Sequence, residues 1–98
     1  MTAEITTTGM AGGPISTSYE EGDSARTWVR RHNDAAENGT PADDELKTVW
    51  PSAAGDQAVV TTRNLGESDA AFTQRHILEY TVAMLQHPPV PHEVSRTG

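Results

Sequence analysis

The spacing of apolar and polar residues changes period several times along this chain, and the changes outline six elements. Glu4 to Thr8 is Thr-rich and β-branched, which predicts a short strand. The glycines of Gly9-Met10-Ala11-Gly12-Gly13 predict a turn. From Pro14 to Tyr19, Ile15, Thr17 and Tyr19 alternate with Ser16 and Ser18, the two-residue period of a half-exposed strand. Pro14 suits its first position.

The period then lengthens. Asp23 or Ser24 can cap a helix running to about Glu37, with Ala25, Trp28, Val29, His32, Ala35 and Ala36 on one side and Arg26, Arg30, Arg31 and Asp34 elsewhere. Asn38-Gly39 ends it. Thr40-Pro41-Ala42-Asp43-Asp44 reads as a cap, a proline and first-turn acids, predicting one helical turn before a strand. Leu46 to Trp50 is expected to pair with Gln57 to Arg63 across Pro51 to Asp56. The apolar run Ala58-Val59-Val60 predicts a central place for the second of these strands.

A second helix starts at Gly66/Glu67-Ser68 and stops at Gln86 or His87, before Pro88, Pro89 and Pro91. Phe72, Tyr80 and Ala83 lie near one stripe, while Ala71, Ile77, Leu78, Val82, Met84 and Leu85 spread around most of the remaining circumference. Such a helix needs two partners: the sheet, and either the first helix or another protein molecule. Ile77, Leu78, Val82 and Leu85 are accordingly candidate partner-binding residues. Residues 88–98 form a Pro-rich tail that reads as a stiff terminal arm.

A repeat organises these elements. Gly22-Asp23-Ser24-Ala25-Arg26-Thr27-Trp28-Val29-Arg30-Arg31-His32 returns 44 positions later as Gly66-Glu67-Ser68-Asp69-Ala70-Ala71-Phe72-Thr73-Gln74-Arg75-His76. Upstream, Ile15-Ser16-Thr17-Ser18 aligns with Val59-Val60-Thr61-Thr62, and Glu4-Ile5-Thr6-Thr7 with Glu45-Leu46-Lys47-Thr48. The expected fold is α+β: a duplicated ββα-ββα unit forming one four-stranded antiparallel sheet with two helices on one face. One domain spans 1–98, with repeat 1 at about 4–38 and repeat 2 at about 45–87. The other sheet face would carry Thr, Ser and Lys, with Trp50 or Tyr19. The rival topology is β-α-β-β-α without a strand at 4–9.

With 35% hydrophobic and 5% aromatic residues in 98, the core must be thin, which favours a homodimer. The chain has no cysteine, which removes disulfides and thiolate metal sites. No stretch approaches a membrane span and no signal-peptide pattern opens the chain, so a cytoplasmic location is expected. The net charge of −7 disfavours direct binding to nucleic acid or to an anionic membrane. Nine acids against three arginines fall in residues 1–45. The Ala/Thr/Gly/Asp/Arg bias fits a high-GC bacterial or phage genome.

The recurring Arg31-His32 and Arg75-His76 are candidate ligand-binding residues, since duplicated histidines near a twofold can hold an anion or a metal. Each histidine also follows an aromatic by four residues, so packing of Trp28 with His32 and of Phe72 with His76 is the preferred reading. Two histidines make an incomplete zinc site, and neither a metal nor another cofactor is expected. Arg75 and Glu79 suit an i,i+4 pair, whereas Arg31 stands eight residues from Asp23, too far for the same pairing. The acids at positions 23 and 67 are expected to occupy the helix N-termini and to keep phosphate away. No nucleophile elbow, P-loop or other catalytic motif is present.

The resulting expectation is a small acidic interaction or regulatory module without catalytic activity, binding itself and an unidentified protein. Two alternatives stand beside it. One is an acidic nucleic-acid mimic that inhibits a basic protein, as in phage counter-defence. The other is a small-molecule or metal-binding domain built on the two Arg-His pairs.

Overall fold

The computed structural model describes residues 3–91. Its elements are β1 (Glu4–Thr8), β2 (Ile15–Ser18), α1 (Ala25–Glu37), β3 (Glu45–Ser52), β4 (Gly55–Thr62) and α2 (Asp69–Gln86). The strands form one antiparallel sheet in the order β2-β1-β3-β4. The protein is therefore α+β, with a four-stranded antiparallel sheet and two helices. The strand at 4–8 rules out the split topology.

Local chemistry sets the helix starts. Ser24 accepts the Thr27 N–H at 3.1 Å and Ser68 accepts the Ala71 N–H at 3.2 Å, so a serine oxygen satisfies one free donor at each N-terminus. The acids expected there do not take part. Asn38 and Gly39 close α1, the Asn38 N–H donating to Ala35 O at 3.2 Å and the Gly39 N–H to Ala36 O at 3.1 Å. α2 has 18 residues against 13 in α1. It ends at His87, ahead of Pro88.

Sheet and helices meet in two buried clusters. Ile5, Trp28, Trp50, Ile77, Tyr80 and Met84 pack together in the larger one, and Met10, Leu46 and Phe72 make the smaller. Each such side chain removed from water contributes about 1.5–3 kcal/mol. Trp50 belongs to this core rather than to the open face, and Tyr19 packs edge-on against Trp28 at 5.3 Å. On the uncovered face, Thr6, Lys47, Val49 and Val60 stand between their inward-facing neighbours.

Three expectations are corrected. β4 is an edge strand, because β1 and β3 pair at the centre through Thr6↔Val49, Thr7↔Thr48 and Thr8↔Lys47. Its apolar run does not signal burial on both faces: Val60 points outward and is 49% exposed. Residues 42–44 form bends, not a helical turn. The N–H of Ala42 bonds to Gly9 O and Thr40 O accepts the Ala11 N–H, both at 2.6 Å, so the glycine turn takes groups a helical turn would need. Finally, the start of the Pro-rich tail is tied down. His87 O accepts the Trp50 Nε1–H at 2.8 Å, and the Val90 N–H donates to Pro51 O at 3.0 Å. His92 and the rest of the tail lie outside the described residues.

Gly9 makes the turn after β1 possible. Its φ is +86°, and a Cβ there would sit 2.5 Å from the Glu45 carbonyl oxygen. Gly9→Ala is predicted to cost about 2 kcal/mol or more, read as a lower urea midpoint with an unchanged slope.

Candidate functional site

Each strand places one threonine on the face beneath the helices: Thr17 from β2, Thr7 from β1, Thr48 from β3 and Thr61 from β4. The central pair, Thr7 and Thr48, stand opposite each other in register with their hydroxyls 2.6 Å apart. α1 lowers His32 between Thr17 and Thr7, with Nδ1 2.9 Å from Thr17 Oγ1 and Nε2 2.7 Å from Thr7 Oγ1. α2 lowers His76 between Thr48 and Thr61, with Nε2 and Nδ1 each 2.7 Å from their hydroxyls. Thr61 donates in turn to Glu79 Oε1 at 2.6 Å. A continuous row of hydrogen bonds thus crosses all four strands. Tyr80 lies against both imidazoles, edge to face at 5.7 Å from His32 and 5.2 Å from His76.

Burial decides the charge of this row. Desolvation brings His32 down to about 4, helped by the neighbouring His76. Desolvation also brings His76 down to about 4, with Arg75 adding to the effect and Glu79 opposing it. Both rings are therefore neutral at pH 7, and a neutral imidazole has one donor and one acceptor nitrogen. Burial likewise raises the Tyr80 phenol, whose hydroxyl has no partner among the described residues.

The neighbouring arginines brace the edges. Arg31 donates to Ser18 O at 3.0 Å and pairs with Asp23, with Glu20 farther off at 3.7 Å. Arg75 donates to Thr62 O at 2.6 Å, grips both oxygens of Glu67 at 2.7 and 2.9 Å, and reaches Glu79 at 3.3 Å. The eight-residue separation of Arg31 from Asp23 is no obstacle, because Asp23 precedes the helix and the loop folds back beside it. Asp23 is held below the usual carboxylate range chiefly by the Glu20 N–H and then by Arg31. Glu67 is drawn down to about 2 by Arg75, with the Asn64 N–H assisting.

These contacts leave neither histidine a nitrogen for a metal or ligand. Among the described residues, no three His, Cys, Asp or Glu side chains gather where an ion would sit. No described helix is long and apolar enough to cross a membrane. The sequence marks Glu79 only as an i,i+4 partner for Arg75 and does not single out the four threonines, although the repeat aligns Thr7 with Thr48 and Thr17 with Thr61. Their signal was the pairing of those aligned positions with aligned histidines.

The outer helical surface is different in kind. Of the candidate partner-binding residues, Ile77 is buried in the core, while Leu78, Val82 and Leu85 are 65%, 53% and 78% exposed. Beside them a groove of about 570 Å³ runs between the start of α1 and the end of α2, lined by Arg26, Val29, Arg30, Thr81, Met84 and Pro88.

No family model matches the chain, and neither a curated protein nor a solved structure is similar to it at a significant level.

Each histidine has a lower pKa folded than its ordinary 6.5, so its stabilising effect is complete above that value. That effect drains as pH falls from 6.5 to about 4, by up to about 3 kcal/mol for each ring. Unfolding followed across pH 4–8 should show this fall, and a His32→Gln/His76→Gln protein should lose its steepness. Thr48→Val should cost about 2–3 kcal/mol in chemical denaturation, because it strips partners from both Thr7 and His76.

Proposed function

We propose that this protein is a non-enzymatic interaction module that works as a homodimer, joined through the outer face of its two helices. The observation that carries this reading is the row Leu78, Val82 and Leu85. These residues recur at i, i+4 and i+7 on α2, outside a core already filled by Ile77, Tyr80 and Met84. Large apolar side chains grouped this way mark a contact surface. The adjoining groove extends the surface onto α1.

Charge on α1 favours a second copy as the occupant. Arg26 and Arg30 lie at its start, and Asp34 and Glu37 near its end, all exposed. Stacking two helical faces about a twofold perpendicular to the helices sets each α1 antiparallel to its mate. The arginines of one copy then lie over the acids of the other, while the leucine and valine row meets itself.

The reading includes an origin by duplication of a ββα unit. It is supported by the 44-residue offset between His32 and His76, each bonded to one central and one edge threonine. It is supported also by the matching arginine contacts to Ser18 O and Thr62 O.

Sedimentation or light scattering should give a dimer at micromolar concentration. Leu78→Glu/Val82→Glu should weaken association at least about 100-fold while shifting the melting temperature little, since both residues are exposed. A protein monomeric at every concentration overturns the dimer.

A further inference from the structure

We infer that the buried row from Thr17 to Glu79 carries its protons in a single direction, which forces opposite tautomers on its two histidines. The direction starts at the carboxylate. A carboxylate only accepts, so the Thr61 hydroxyl spends its one proton on Glu79. Thr61 must then receive from His76 Nδ1–H, which leaves His76 Nε2 as an acceptor. Thr48 donates to that nitrogen and so accepts from Thr7. Thr7 in turn accepts from His32 Nε2–H, and His32 Nδ1 accepts from Thr17. Six bonds use six protons in this order, with none left over.

The reverse order fails at both ends. Thr61 would turn its proton toward His76, and Glu79 would lose that donor. Thr17 would accept from His32, and its own proton would need a new acceptor. The contact between Thr7 and Thr48 is what makes the row act as a whole, since a gap of 2.6 Å holds one proton and not two. The two halves are alike up to this point, and Glu79 breaks the tie. It lies three residues after His76, and the residue three after His32 is Ala35. One side chain at the β4 edge, flanked only by Arg75 among the described charged groups bonded to it, thereby sets the hydrogen-bond order as far as the β2 edge.

Ring nitrogen shifts in the ¹⁵N-labelled protein at pH 7.5 test this directly. The expected result is a proton on Nε2 of His32 and on Nδ1 of His76. Glu79→Ala should release the direction, giving both histidines shifts averaged over two tautomers. Ala35→Glu/Glu79→Ala moves the carboxylate to the other end and should exchange the two patterns, with His32 protonated on Nδ1 and His76 on Nε2. Both substituted positions are exposed, so the fold is expected to persist. The same tautomer on both rings of the unaltered protein overturns the inference. So does the original pattern surviving unchanged in both variants.

Discussion

Everything in this small fold turns on the meeting of two hydroxyls, Thr7 and Thr48, at the centre of the sheet. Buried polar groups without partners cost more than they return, so the buried row of four threonines and two histidines is stable only when each member finds another. The central pair links two groups of three that otherwise end in unsatisfied atoms. It also fixes register. Sliding β1 by one residue along β3 turns Thr7 to the open face and strands His32 at the same time. An apolar pair at this place would pack, but it would not penalise the wrong alignment so heavily.

The arginines complete this arrangement from outside. Each runs from its helix to the last carbonyl of an edge strand and takes an acid from the loop between them, so strand end, loop and helix are held at one point. The histidine one position further on enters the core. The dipeptide Arg-His thus joins a solvent-facing brace to a buried bond.

Much of the architecture was legible in sequence because period and punctuation carry it. The helix limits followed from Ser24, Asn38-Gly39, Ser68 and Pro88. The strand order was less accessible. Ala58-Val59-Val60 reads as buried by composition, yet period alone cannot tell an edge strand with an outward valine from a central one. Trp50 was placed loosely because its side depends on register, which a single strand does not reveal. The partnership of Asp23 with Arg31 was missed by applying helix spacing to a residue outside the helix. At the candidate site, the repeated histidines stood out, whereas threonine is common enough here to hide the four that matter. Of the four α2 residues read as partner-binding, Leu78, Val82 and Leu85 are exposed, whereas Ile77 packs into the core with Tyr80 and Met84, a side that helical spacing alone does not reveal.

The position of β4 has a cost that lies beyond the single molecule. Eight residues of this strand run along the border with one side unpaired, and Asp56 is the only charge among them. Such a border is a template onto which another chain can add, strand by strand, toward a fibril. Mutual repulsion between copies carrying −7 is the main guard against it. Salt shortens the reach of that repulsion to about 3 Å at 1 M, so concentrated electrolyte weakens this guard.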